Sequence, residues 1–237
     1  MAKIYIVGTP IGNLEDITLR ALKVLRMVEV VACEDTRVTM KLLNHFEITN
    51  KKLITYNNFN EQNGSRGILK LVKDNNLNVA LVSDAGMPVV SDPGFELIKQ
   101  AIENDIEIEL VPGVSASISA FVLSSFSNNF TFHGFIKDKN IQRANYLKTL
   151  DFGAHIFFVS PHKLLSTLET IYEVFKDDCE LFLGKELTKM HEEHFRGKPS
   201  KIIELFKSNE NVKGEFTMVL NLIKKKEIKV SKYSKVK

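Results

Sequence analysis

The stretch Ile4-Tyr5-Ile6-Val7-Gly8-Thr9-Pro10-Ile11-Gly12-Asn13-Leu14-Glu15-Asp16 sets a short apolar, mostly β-branched run against a loop of two glycines and a proline. Four apolar residues in succession read as a strand covered on both faces, the pattern of a parallel sheet. Working outward, residues 28–32, 79–82 and 106–111 repeat the strand signal. Residues 19–27, 38–46, 67–73 and 95–104 carry apolar side chains at three- and four-residue spacing and read as helices. A β-α-β-α order of this kind predicts an α/β domain with helices on both faces of a mostly parallel sheet. Farther along, residues 156–159, 180–183 and 216–223 read as strands, and 163–175 and 200–207 as helices. These predict a second α/β unit, with the division placed at 115/116: 1–115 as the first domain and 116–223 as the second.

Composition narrows the class. The 237 residues, 44% hydrophobic and 26% charged, can bury sizeable cores. Cys33 and Cys179 are far apart and lack metal-ligand spacing, which argues against a disulfide-stapled secreted module and for a reducing compartment. The apolar start is too short for a signal-peptide core, so a cytoplasmic location is expected. Residues 111–136 contain no Lys, Arg, Asp or Glu, but Pro112, Gly113 and several serines interrupt them. A buried loop and helix is expected there, with no membrane span. The net charge of +3 is uneven: residues 224–237 hold seven lysines against Glu227, so the preceding chain is net acidic. That basic tail reads equally as a solvated end or as a phosphate contact.

In open parallel sheets ligands collect beyond the carboxyl ends of the strands, and the loops there are rich in Gly, Pro, Ser and Asp. The first loop is neither a dinucleotide fingerprint nor a Walker loop, since no lysine follows its second glycine. Its Asp16 is expected to cap the next helix. Cys33-Glu34-Asp35-Thr36-Arg37 places two acids, a hydroxyl and a guanidinium at a helix start, where capping by Asp35 or Thr36 with a local pair to Arg37 is the structural alternative to a catalytic role. Ser83-Asp84-Ala85-Gly86-Met87-Pro88-Val89-Val90-Ser91-Asp92-Pro93-Gly94 is the densest turn cluster. Its small residues leave room for a ligand, and Asp84 can accept from a hydroxyl or ammonium group. Asp92-Pro93 reads as cap and first residue of a helix. After the next strand, Gly113 is expected to turn the chain and Ser115 to cap the helix beyond it.

Taken together, residues 6–18, Cys33-Glu34-Asp35-Thr36-Arg37, Leu81-Val82-Ser83-Asp84-Ala85-Gly86-Met87-Pro88, Ser91-Asp92-Pro93-Gly94 and Lys185-Glu186-Leu187-Thr188-Lys189 closely resemble the ribosomal RNA small subunit methyltransferase I family. The resemblance runs almost to Ile223. It implies the tetrapyrrole-methylase fold, two α/β domains with S-adenosylmethionine held in the cleft between them, usually as a homodimer. It also implies methylation of the ribose 2'-hydroxyl of a cytidine in the decoding region of 16S rRNA, within the small ribosomal subunit. The donor-binding residues it implies are Pro10, Ser83, Asp84, Ala85, Gly86, Pro88, Val89, Gly113, Ser115 and Ala116 from the first domain. From the second come Phe158 and its neighbours to Pro161, Lys185, Glu186, Leu187, and Thr217 or Met218. The chain departs from the family pattern at Lys137, Val159, Lys163 and Lys185. Two of these, Lys163 and Lys185, stand where arginine is usual, and lysine lacks the bidentate fork for phosphate.

Methyl transfer from a sulfonium needs alignment and exclusion of water more than a metal, with a base to take the hydroxyl proton. Glu34 and Asp35 are the candidate bases, with Arg37 on a phosphate and Glu186 as a competitor. His191-Glu192-Glu193-His194 has three-residue spacing and reads as a solvated loop, with no metal site. Phe59, Phe132 or Phe135 could stack on a splayed base. The alternatives are a tetrapyrrole or other small-molecule methylase, disfavoured by the Gly8-Thr9-Pro10-Ile11-Gly12 loop where that branch uses Gly-x-Gly-Pro-Gly, and an RNA-binding relative without catalysis.

Overall fold

The computed structural model describes residues 2–207 and 212–223; the basic tail expected over 224–237 lies outside them. Two five-stranded sheets organise the chain. The first contains β1 (Ile4–Val7), β2 (Val30–Cys33), β3 (Lys52–Thr55), β4 (Val79–Leu81) and β5 (Ile108–Val111), all parallel, in the order β3-β2-β4-β1-β5. Strand alternation splits its apolar runs between two cores. Ile4, Ile6, Val30, Ala32, Val79 and Leu81 face α3 (Glu61–Lys73) and α4 (Phe95–Glu103). Tyr5, Val7, Val31, Cys33, Ala80 and Val82 face α1 (Leu19–Met27) and α2 (Thr36–His45). A strand apolar at every position is what such two-sided coverage requires.

The connection from β1 crosses β4 to reach β2, and the connection from β4 crosses β1 to reach β5. The chain therefore leaves these neighbours in opposite directions, and a crevice opens between their carboxyl ends. The loops meet there through a two-way backbone bridge, Thr9 N to Gly86 O at 2.9 Å and Gly86 N to Thr9 O at 3.1 Å.

The second sheet contains β6 (Phe130–Phe135), β7 (Gly153–Val159), β8 (Cys179–Lys185), β9 (Glu193–Gly197) and β10 (Phe216–Leu222), in the order β6-β7-β10-β8-β9. Only the β6–β7 pair is parallel. One face carries α6 (Asn140–Leu147), α7 (Leu164–Phe175) and α8 (Pro199–Lys207); α5 (Ala116–Ser124) covers the other, where Ile11 and Leu187 join the same core. The register sets Phe216 of β10 between Val159 of β7 and Lys185 of β8, so these three strands present one common end to the crevice of the first sheet.

Several elements differ from the sequence expectation. Strands β3, β6 and β9 and helix α6 carry weak apolar patterns, and α3 begins six residues early because its first turns are polar. That polar start is used: Ser65 is buried and bonds the Tyr56 hydroxyl at 3.0 Å. Residues 193–197 form an edge strand where a loop was expected. The caps also move. Thr18, not Asp16, accepts from Ala21 N at 3.0 Å to start α1. At α4 it is Glu61, reaching from α3, that accepts from Gly94 N at 2.9 Å and Glu96 N at 3.1 Å, so Asp92 does not cap that helix. Ser115 occupies the cap position of α5 but bonds the Ser117 hydroxyl, with no bond to the helix backbone.

Arg143 on α6 is fully buried and, among the described residues, its guanidinium hydrogen-bonds no carboxylate. Its guanidinium donates to Lys137 O, Asp138 O, Asn140 Oδ1, Ser166 O and Thr170 Oγ1, tying α6 to α7 and to the loop after β6. Arg143→Met strands these acceptors and is expected to destabilise by about 3 kcal/mol or more, read as a fall in the denaturant midpoint. Arg143→Lys should recover little, because one ammonium cannot reproduce the planar fork.

Candidate active site

Gly8 and Gly113 set the spacing of the crevice loops. A β-carbon on Gly8 would lie 2.6 Å from Gly113 N and 2.6 Å from Met87 Sδ, and one on Gly113 would meet the Gly8 backbone at 2.9 Å. The requirement at Gly113 is close approach between backbones; the turn expected there is not the reason for a glycine. The loop after β4 is itself constrained, with Val89 at φ 74° and Ser91 at φ 70°. A β-branched residue in the left-handed region is strained and persists only where surrounding contacts enforce it.

Two adjoining cavities open at this place. The larger, about 450 Å³, is lined by Asp84, Ala85, Gly86, Val90, Ser91 and Asp92 from the loop after β4, and by Ser115 and Ala116 before α5. The second sheet supplies Phe135, Phe158 through Pro161, Glu215, Phe216 and Thr217. Met218 points the other way, into the core under α7 and α8, because adjacent residues of a strand face opposite sides. The smaller cavity, about 310 Å³, holds Pro10 and Ser83 together with residues of the first loop and α2. Ile11, Asp84, Ala85 and Glu215 line both.

Other residues singled out from the sequence lie outside both linings. Pro88 and Val89 shape the loop behind the larger cavity, and Gly113 is packed on Gly8. Leu187 is buried beneath α5. Glu186 accepts from Glu215 N at 2.7 Å and from Lys189 Nζ at 2.9 Å, so it positions the turn that carries Glu215. Lys185 pairs with Glu193, and Lys163 and Lys137 are exposed, whereas Val159 is buried and does belong to the lining of the larger cavity. Of the three phenylalanines, Phe135 lines the larger cavity, Phe132 packs beneath α5 and Phe59 is wholly exposed. His194 pairs with Glu192 at 2.6 Å.

The acids divide by environment. Asp35 caps α2 and forks with the exposed Arg37, at 2.6 Å between Oδ2 and Nη2; these bonds hold its carboxyl down at about 2, too acidic for a base near neutrality. Glu34 lies in the other direction, raised by burial and by the carboxyls of Asp84 and Asp35. Asp84 is raised by burial although its Oδ1 accepts from Asp35 N at 3.0 Å. Asp92 is pushed up to about 6 by burial, with Glu34 adding to it. By sequence Asp92 reads as a helix cap, whereas the structure places it in the lining of the larger cavity. Its place in the dense turn cluster was a signal, but the Glu61 contact that frees it spans more than thirty residues.

Three carboxyls crowded at one crevice, two of them lining its cavities, are costly to hold ionised. A carboxyl raised in the folded state favours folding at low pH, and that contribution is lost as pH climbs from the unfolded value near 4 through the folded value near 6. Asp92→Asn is therefore expected to be more stable than the parent above pH 6, by about 1–2 kcal/mol after discounting for solvent around a half-buried group. The two melting curves should converge toward pH 4.

A model of the tetrapyrrole (corrin/porphyrin) methylases matches residues 3–203. A ribosomal RNA small subunit methyltransferase I of Mesomycoplasma conjunctivae is 48% identical, covering 99% of each chain. Its counterpart from Mycoplasmopsis pulmonis is 52% identical over 92% of this chain and 97% of its own. Among solved structures, uroporphyrin-III-C-methyltransferase from Thermus thermophilus superposes with a TM-score of 0.67 at 20% identity, covering 93% of this chain and 94% of that one. A Thermus thermophilus uroporphyrin-III C-methyltransferase complexed with S-adenosyl homocysteine gives 0.63 at 15% identity, covering 93% and 97%. At such identities the likeness shows the fold.

Proposed function

Because the chain belongs to the ribosomal RNA small subunit methyltransferase I family, within the tetrapyrrole methylases, we propose that it is an S-adenosylmethionine-dependent methyltransferase that 2'-O-methylates a cytidine ribose in the decoding region of 16S rRNA. The observation that carries this reading is the larger cavity, set where the β1 and β4 connections diverge and closed by the second sheet. Its lining suits a donor with a net positive charge and a flat aromatic base: Asp84, Asp92 and Glu215 supply negative charge for the ammonium and sulfonium, and Ile11, Phe135, Phe158 and Phe216 supply apolar wall for the adenine. No lysine or arginine is among the described residues lining it.

When bound, S-adenosylmethionine supplies a sulfonium-activated methyl group. The protein's work is placement. Ala85, Gly86, Ser115 and Ala116 leave space and backbone groups for the donor, Phe158 and Pro161 exclude water, and the Gly8–Gly113 contact keeps the loops at fixed separation. Asp84 lines both cavities and is held above the ordinary carboxylate range, so it is placed to accept a proton from a hydroxyl brought to the shared wall. Glu34 is raised by burial and by Asp84, and Arg37 faces solvent where a phosphate can reach it.

The division at 115/116 fits α5 lying on the second sheet, and we take 1–115 and 116–223 as two domains. The protein acts in the cytoplasm on the small ribosomal subunit. It acts as a homodimer, for which α5 offers an apolar surface through Ile118, Val122 and Leu123 beside Phe130.

Incubation with labelled S-adenosylmethionine and small subunits lacking the modification should give 2'-O-methylcytidine, identified by mass spectrometry. Asp84→Ala should lower donor affinity by about 10- to 100-fold in titration calorimetry, the loss of one charged hydrogen-bonding group. Full retention would remove Asp84 from the donor site.

A further inference from the structure

The smaller cavity differs from the larger in the charge of its lining. Its floor is Pro10, Ile11, Leu14, Val38, Thr39 and Leu42, drawn from the first loop and α2. Asp84 and Glu215 line both cavities; the smaller adds Lys41 and Lys189, whereas the larger adds Asp92 and, among the described residues, no Lys or Arg. Lys189 is held by Glu186 at 2.9 Å and Glu215 at 3.0 Å, but Lys41 is exposed on α2, one turn beyond the exposed Arg37. The mouth thus carries a basic ridge along α2. Thr39 adds a second observation: it is 3% exposed, and its Oγ1 has no conventional hydrogen-bond partner, with the weakly bonding Cys33 thiol beside it.

We propose that this cavity receives the acceptor nucleoside, flipped out of the RNA, with its base between Pro10, Leu14, Val38 and Leu42 and its ribose edge at the wall formed by Asp84 and Ala85. The inference rests on the methyltransferase reading and adds the acceptor's location. Charge decides between the cavities, since a cationic donor favours the acidic one and a phosphodiester chain favours the one beneath Arg37 and Lys41. Volume agrees, at about 310 Å³ for a single nucleoside against about 450 Å³ for the donor. To bring its ribose to the shared Asp84 wall the nucleotide must leave its stack, and no aromatic ring among the described residues lines the cavity. Recognition of the base there is by shape.

The test uses the full chain and unmodified small subunits. Leu42→Trp fills the cavity from α2. It should leave the affinity for S-adenosylhomocysteine within about twofold by calorimetry while lowering single-turnover methyl transfer by about 100-fold, the cost of misplacing a reactant by an ångström or so. Lys41→Ala, an exposed change that spares folding, should raise the subunit KM and reduce the salt slope of subunit binding by about one. Two outcomes overturn the proposal: Leu42→Trp with parental rate and KM, or Leu42→Trp that melts normally but has lost S-adenosylhomocysteine binding, which would give the cavity to the donor. If Leu42→Trp fails to fold, an unchanged KM and salt slope in Lys41→Ala overturns it alone. Failure of the methyltransferase reading looks different, because the parent protein itself would then neither bind S-adenosylhomocysteine nor transfer methyl.

Discussion

The contact between Gly8 and Gly113 is the constraint on which the crevice depends. Backbone meets backbone there with no room for a side chain, and Met87 Sδ sits against the same point, accepting from Gly113 N at 3.2 Å. Three loops, after β1, β4 and β5, are thereby held at one separation. The Thr9–Gly86 bridge extends the same arrangement by one residue on each side. Everything that lines the two cavities from the first sheet is attached to these loops or to α2. A rigid loop cluster on a parallel sheet is what lets small residues such as Ala85 and Gly86 define space instead of filling it.

The second sheet completes the site by direction. β7 and β8 run parallel to one another with β10 antiparallel between them, so Val159, Lys185 and Phe216 end at one level. The loop after β8 reaches across to the first loop, where Thr188 Oγ1 accepts from Asn13 N at 3.1 Å and the Lys189 stem packs beside Gly12. The crevice is thus bounded by side chains more than a hundred residues apart in the chain. Its electrostatics come from the same convergence: Glu34, Asp84 and Asp92 stand at the ends or in the loops of neighbouring strands, and burial raises all three.

Burying acids in this way costs stability, and the neighbouring pieces of structure offset part of it locally. Asp84 receives the Asp35 amide, and Glu61 takes over the amides at the start of α4. The left-handed conformations of Val89 and Ser91 add further strain in the same loop. Backbone strain and carboxyl pKa values raised by burial, concentrated at one crevice, are the signature of a site kept for chemistry at some expense to the fold.

The sequence by itself determined the alternation of apolar strands and amphipathic helices in the first sheet, the richness of its carboxyl-end loops and, through the ordered set of loop phrases, the family. These are local facts: a strand covered on both faces must be apolar throughout, and a loop admitting a ligand must be built of small residues. Tertiary structure alone decided which loop residues face a cavity. Pro88, Val89 and Gly113 belong to the same phrases as Asp84 and Ser115 yet serve as scaffold, because strand alternation and backbone approach select the inward positions. The role of Asp92 was hidden for the same reason, since the cap that releases it comes from another helix. Edge strands β3 and β9 and the polar start of α3 were also hidden, because a half-exposed element needs no apolar period of its own when its partners supply the burial.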